Sequence, residues 1–301
     1  LRMHSSIMWV VDVPRLQGLR ERVKVNLRHI LTFYYEEASR VAVWWLWSIP
    51  FQILQIIFSL LLYKYYALAF GGFSPLYGGN FMAFIISGLM INTYMDASLE
   101  VYYQSIAALY HGRMGVGGVH LSRRDYLQLA GISPYTFIFA RTSWRYLMET
   151  IMFTLYFLIG VLFFGFQASM EADPSLVICI ILLSIAACSG IGLISASMYW
   201  LIGAYRGTEP IAWFTRLLVP LTAGIYIPRE ILPRELAFLG SLLPQTYAAD
   251  AIRRTLLMGA ALNNVKGNII TLALQASILI PIGIIALKYS LTLERKRATM
   301  Y

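Results

Sequence analysis

Charge is what this chain has least of. Of its 301 residues, 13% are charged and 58% are hydrophobic. A water-soluble domain carries roughly a quarter charged residues, so this chain lacks the means to cover a water-facing surface and reads as an integral membrane protein. Histidine is scarce too: His4, His29, His111 and His120 are the full set, and none stands at metal-ligand spacing. No HExxH, CxxC or GxxxxGK[ST] pattern occurs, so metalloprotease, dithiol-redox and P-loop chemistry have no residues to work with. No catalytic residue and no metal site is expected. The two cysteines, Cys179 and Cys188, lie in one apolar run, roughly 13.5 Å apart along a helix. That is beyond disulfide reach, and they read as small packing residues.

What the chain does have is apolar length. Runs approaching the ~20 residues that span a bilayer cover 41–62, 81–103, 142–165, 176–202, 211–227 and 269–287. Positive charge orients them. Arg2, Arg15, Arg20, Arg22, Lys24, Arg28 and Arg40 precede the first run, while Arg113, Arg123 and Arg124 follow the second. Arg206 follows the fourth, and Arg295, Lys296 and Arg297 follow the last, whereas 67–80 and 166–175 hold no Lys or Arg. This predicts a multi-pass protein of the cell membrane with both termini cytoplasmic. One segment resists: 228–266 is expected outside, yet holds Arg229, Arg234, Arg253, Arg254 and Lys266. Its length loosens the rule. The net charge of +9 accordingly reads as topology and contact with anionic membrane lipids, not nucleic acid.

A segment over 1–40 precedes the membrane domain of 41–290, and a basic tail over 291–301 follows it. Leu16, Leu19, Val23, Leu27, Ile30 and Tyr34 recur at steps of three and four, with Arg15, Arg22, Asn26 and His29 opposite. The pattern predicts an amphipathic helix in the interface, begun at Pro14 and ended at Glu36-Glu37. A soluble helix packed on a partner has the same pattern. In the cytoplasmic loop 111–133, the glycine-rich stretch from His111 to His120 predicts a flexible connector. After it, Ser122 caps a short helix that Gly131 stops. A mere connector is one reading; a capped, charged cytoplasmic helix is also what a transporter offers to a motor, with Arg124, Asp125 and Tyr126 as its candidate contacts.

The last connection is broken. Gly224-Ile-Tyr-Ile-Pro228-Arg-Glu-Ile-Leu-Pro233 runs on to Pro244-Gln-Thr-Tyr247-Ala248-Ala-Asp-Ala251-Ile-Arg253. Pro228, Pro233 and Pro244 each remove a backbone donor and cut any helix. Such backbone survives at membrane depth only where protein or trapped water satisfies it; an ordinary external loop is the other reading.

Ionisable groups inside spans cost roughly 2.5–3.5 kcal/mol each on insertion scales, so each needs a reason. Asp96 and Glu100 lie one turn apart on the second run, and Arg141, Arg145 and Glu149 form a stripe on the third. Pairing across the two helices, with Arg145 meeting Asp96 or Glu100, is the expected arrangement. A polar relay towards a motor is the alternative, with Arg141 snorkelling. Arg216 has no acid near it in sequence except Glu209, and either snorkels or lines a path.

Together these features resemble the permease subunits of type-2 ABC exporters, a family that includes drug, lipid and surface-polysaccharide exporters. The resemblance runs over 16–297 and is most specific over 224–253. There the ending from Pro244 through Tyr247, Ala248 and Ala251 to Arg253 follows the family's Pro-x-x-Tyr/His-Ala-x-x-Ala-x-Arg. Ile132-Ser133-Pro134 with Phe137 and Ala140-Arg141 is similar to the entry into the family's third span. The acidic Glu-Arg-Glu run usual before the cytoplasmic helix is replaced here by the glycine connector. The resemblance implies an all-α protein of six transmembrane helices, with an amphipathic leader and a re-entrant broken pair before the last span. It implies that this chain is no ATPase and binds no cofactor, ATP and Mg being held by a separate ATP-binding subunit. A second permease subunit, identical or not, completes the dimer. Spans one, two and five wall the pathway, and the broken helices, with Pro228, Pro233, Pro244 and Tyr247, form an exit lid. The cargo would be a drug, lipid or lipid-linked glycan moved outward by alternating access. An ion-gradient-driven transporter or channel is the alternative; it predicts an internal repeat, and the two halves look unlike each other.

Overall fold

The computed structural model describes residues 13–69, 80–111, 114–116, 119–202 and 210–298. Apart from one small hairpin and the turns and loops between elements, these residues are helical. In chain order they form α1 (Val13–Ala69), α2 (Phe81–His111), β1 (Met114–Val116), β2 (Val119–Leu121) and α3 (Arg123–Leu129). Then come α4 (Pro134–Phe164), α5 (Pro174–Leu201), α6 (Pro210–Thr222), α7 (Arg234–Ser241), α8 (Pro244–Met258) and α9 (Leu262–Ala298), with a 3-10 turn at Arg229–Ile231 before α7.

α1 corrects one expectation. It is continuous over 57 residues, about 86 Å at 1.5 Å per residue, and does not end at Glu36-Glu37. Glutamate is a good helix former, and both side chains find partners that keep them in the helix: Glu36 binds Arg123 and Glu37 faces Arg141. Pro50 also lies inside the helix without ending it. Of the amphipathic stripe, the side chains of Leu16, Leu19 and Val23 fall outside the described residues. Leu27 is exposed, while Tyr34 packs on Trp144 and hydrogen-bonds Ser143.

Among the described residues, five helices contain stretches long and apolar enough to cross a membrane: Ile49–Tyr66, Phe81–Tyr110, Pro134–Phe164, Pro174–Leu201 and Leu262–Leu293. The expected fifth run, 211–227, yields only the 13 residues of α6, about 20 Å against a hydrocarbon core of ~30 Å. The reason is local. Pro220 lacks a donor near the helix end, and Gly224, at φ +73°, turns the chain away in a conformation costly for any residue with a Cβ.

The caps follow sequence closely. Asn80 opens α2, its Oδ1 accepting from the backbone of Met82 and Ala83 at 3.0 and 3.2 Å. Ser133 and Asp173 cap α4 and α5, each followed by proline in the first turn. The Ser175 hydroxyl and backbone N–H donate to the Asp173 carboxylate and hold it below the usual carboxylate range. Between α2 and α3, the glycine connector is not shapeless: β1 and β2 pair antiparallel, Met114 opposite Leu121 and Val116 opposite Val119.

α2 is the central pillar, packed by α1, α4, α5 and α8, with Ile85, Ile86, Met90, Ile91 and Met95 fully buried. α5 lies along α9 more extensively than any other pair. Gly190 and Gly283 permit that approach: a Cβ on Gly190 would sit 2.7 Å from the Leu279 carbonyl carbon, and one on Gly283 would sit 2.8 Å from the Gly190 oxygen. Hydroxyls tie α2, α4 and α5 together, with Tyr146 of α4 3.0 Å from Ser98 and 3.1 Å from Ser189. In a membrane, small residues and such interhelical hydrogen bonds supply the cohesion that the hydrophobic effect supplies in water.

Candidate functional site

The broken segment is built around one arginine. After α6 ends, the carbonyls of Gly224 and Ile225 point to no helical partner. Arg253 of α8, only 2% exposed, supplies both: one terminal nitrogen donates to Gly224 at 2.7 Å and the other to Ile225 at 2.8 Å. Its Nε donates to the Phe84 carbonyl of α2 at 3.1 Å, and the guanidinium carbon lies 3.6 Å from the centroid of the Phe84 ring. Carbonyl oxygens and an aromatic face together replace the water a buried guanidinium has lost. Space for it comes from Gly88, where a Cβ would lie 3.0 Å from the Ile225 oxygen and 3.3 Å from the guanidinium carbon.

The prolines sit where the sequence put them. Pro228 precedes the 3-10 turn, Pro233 precedes α7, and Pro244 is the first residue of α8. Tyr247 closes the bend from the α8 side, its hydroxyl donating to the Ser241 carbonyl at 3.0 Å, while Thr246 donates to Gly240 at 2.5 Å. Beside them, Asp250 pairs with Arg254 at 2.9 Å and accepts from Asn268 at 2.7 Å.

The ionic groups of the bundle are connected differently from expectation. Arg145 does not pair across to Asp96 or Glu100. Its Nε lies 2.7 Å from Glu149 on its own helix, an ion pair by distance without hydrogen-bond alignment, because i, i+4 spacing stacks the two directly. Glu100 pairs instead with Arg216 of α6 and accepts from Gln104 at 2.9 Å. Arg216 therefore has an acid close in space that it lacks in sequence. Arg141 reaches Glu37 of α1 at 3.5 Å. Asp96 accepts from the Asn92 amide at 2.8 Å.

Asp96, Arg145 and Glu149 share a cavity of about 860 Å³ between α1, α2 and α4. Glu37, Gln52 and Gln55 contribute from α1, Thr93 and Gln104 from α2, and Arg141, Trp144 and Tyr156 from α4. Glu100 and Arg216 are not among its lining residues. From the Glu37–Arg141 pair to Ile56 and Tyr156, it follows the helices for about 22–28 Å.

α3 lies next to the first of those ends. Ser122 accepts from the Asp125 backbone, and the Asp125 carboxylate accepts from the Ser122 backbone at 2.9 Å, a complete capping box. Helix and cap end at Ala130, with Gly131 at φ +69°. Arg123 binds Glu36 and lies 5.2 Å from the Phe137 ring centroid, and Arg124 lies 5.4 Å from that of Tyr110. Leu127 is buried with Leu109 and Phe137. Of the three candidate contact residues, Asp125 is thus engaged in the cap, and Arg124 packs on α2.

Arg253, which holds the break together, is not among the candidate site residues that the sequence suggests. It was counted among the charges that strain the topology. The available signal was its place among Ala249, Ile252 and Leu256, all buried, where an arginine needs an internal partner.

Residues 125–257 match the family model described as ABC-2 type transporter. The matched stretch opens inside α3 and closes near the end of α8, so it contains the rest of α3 from Asp125 and the arginine-held break. A comparison with curated proteins gives no match.

Two outcomes follow from this geometry. Arg253→Lys removes the fork, and at least one buried carbonyl loses its donor, which costs about 1–3 kcal/mol for each group left unmet. Gly88→Ala displaces the same guanidinium. Both variants should unfold at lower temperature in detergent than the native chain, and a native midpoint for Arg253→Lys would refute the staple. Separately, a double-mutant cycle of Glu100→Gln with Arg216→Gln should show coupling of about 1 kcal/mol. The pair is 28% and 36% exposed, so no more is expected. Glu100→Gln with Arg145→Gln should be additive within about 0.5 kcal/mol.

Proposed function

We propose that this chain, a type-2 ABC permease, is the membrane-spanning subunit of an ATP-driven exporter for a hydrophobic or amphipathic substrate. Permeases of this family generally work with an ATP-binding subunit, and the domain itself is the transmembrane component, not the ATPase. In this reading ATP and Mg are held by that partner, and a second copy of the chain completes the translocation path.

The observation that carries the reading is the seating of α3. A seven-residue helix is too short to be stable alone. Here it is capped at its start, pinned to α1 through Glu36 and wedged against α2 and α4 by Leu127. A load applied to α3 therefore reaches the three helices that bound the cavity. A passive connector has no use for such anchoring; a coupling element does.

The orientation follows the basic residues, with α3 and both termini on the cytoplasmic side. α6, continued by 223–227, makes the sixth crossing, and 228–266 lies outside as the exit lid. The positive charge of that segment is less of an obstacle than its sequence suggests. Arg253 is buried against carbonyls and Arg254 is paired with Asp250, so neither acts as a free surface charge.

With the ATP-binding subunit co-purified, replacing Arg124, Asp125 and Tyr126 together by alanine should leave insertion and ATP hydrolysis intact while transport per ATP falls. Loss of the Asp125 cap alone costs about 1 kcal/mol, so Asp125→Ala serves as the control for simple fraying of α3. Unchanged transport per ATP in the triple variant would remove α3 from the coupling role.

Glu235 and Asn263 are exposed at the two ends of the lid. Single cysteines there, in a background lacking Cys179 and Cys188, should react with an impermeant thiol reagent added from outside intact cells. Reaction only after the membrane is opened would invert the topology.

A further inference from the structure

We propose that the cavity between α1, α2 and α4 is a binding site for an organic ammonium carrying an apolar tail, with Asp96 as its counter-ion. The inference rests on the export reading, in which this cavity is where cargo is first held.

The charge balance of the wall leads to it. Glu37 is matched by Arg141, and Glu149 by Arg145. The neighbouring Glu100 is matched by Arg216 outside the cavity. Asp96 remains. Its partner among the described residues is the Asn92 amide, and it makes no ion pair there. Arg216 and Arg145 act on it through charge at longer range but make no ion pair with it, and an acid in a membrane helix without a cation in contact is costly.

The polar groups around Asp96 do not supply one. The Asn92 amide that binds it is not on the cavity wall, and Arg145 Nε, on the wall without a hydrogen bond, stands beside Glu149. A positively charged group in the cavity answers Asp96, whereas an anion would have to displace Glu37 or Glu149 from its arginine first.

The rest of the wall describes the remainder of the ligand. Trp144 and Tyr156 contribute aromatic rings to the wall, and aromatic rings attract an alkylammonium. Met148, Met152 and Leu155 continue the surface as apolar, deformable contacts. At about 860 Å³, the space is that of a small-molecule site and far exceeds an inorganic cation. Charge at one point and apolar wall beyond it is the pattern of a cationic amphiphile.

The test uses the full chain in neutral maltoside micelles, without an ATP-binding partner. Hexyltrimethylammonium, hexyl sulfate and hexyl glucoside are titrated separately, and Trp144 emission is isolated by difference against Trp144→Phe. The ammonium should give saturable quenching and the other two none. Asp96→Asn should weaken ammonium binding by about tenfold or more, while Asp173→Asn, at the exposed cap of α5, should bind as the native chain does. Equal response to the three headgroups overturns the proposal, and so does native affinity in Asp96→Asn. The headgroup series needs no variant, so it decides the matter even if Asp96→Asn fails to fold. Ammonium binding without ATP-dependent transport in the assembled complex counts against the export reading alone. Transport of a neutral or anionic amphiphile with no ammonium binding counts against this site alone.

Discussion

Broken backbone in an apolar setting needs donors from elsewhere, and in this chain one guanidinium supplies them. A helix that stops at Thr222 leaves carbonyls that bulk water would solvate at a protein surface. Here Gly224 and Ile225 are buried, and unmet acceptors at that depth cost more than the fold can easily offset. Arg253 meets both and ties them to the first turn of α2 through Phe84. Three features then depend on one another. The early end of α6 requires the arginine, the arginine requires the glycine at 88, and the course of α8 is set by carrying the arginine inward. Lysine, with a single nitrogen, has no geometry that serves all three carbonyls.

The same economy governs the other charges. Each ionic contact in the bundle is short-range and made with whichever neighbour helical spacing or packing brings nearest. Arg145 takes Glu149 one turn on, Arg141 takes Glu37 on the adjacent helix, and Glu100 takes Arg216. The α2–α4 interface itself is held by hydroxyls, Tyr94 to Thr150 and Tyr146 to Ser98, which need no charge to satisfy them. This removes the cross-helix partner that Asp96 was expected to have, and it is why the imbalance falls on that residue.

How far the sequence could be read depended on the range of the interaction. Features decided within a few residues were legible: Ser122 as a cap, Gly131 as a stop, and the three prolines as the starts of short elements all occupy their expected places. The long apolar helices were legible from hydropathy for the same reason. Features decided by distant partners were not. Glu36-Glu37 looked like a helix end because Arg123 and Arg141 lie far along the chain, and the continuity of α1 depends on them. Arg216 looked isolated because Glu100 is near it only in the folded bundle. Arg253 was visible as a letter of a motif, but its direction, inward to three carbonyls, is a property of the packed break.

If α3 couples to a motor as proposed, the uninterrupted α1 changes what it can act upon. Had the helix ended at Glu36-Glu37, movement of α3 would reach the membrane domain through α2 and α4 alone. A continuous helix is stiff over such a length, and sharp bends need an identifiable cause. Pro50 is the one interior residue of α1 that removes a backbone hydrogen bond, and it stands beside the cavity residues Ile49 and Gln52. In the proposed orientation, a displacement at the Arg123–Glu36 contact is carried along α1 as a lever, and the helix is weakest where it borders Asp96 and its neighbours. Under the two proposals, the contact with α3 and the proposed binding cavity then lie on the same helix.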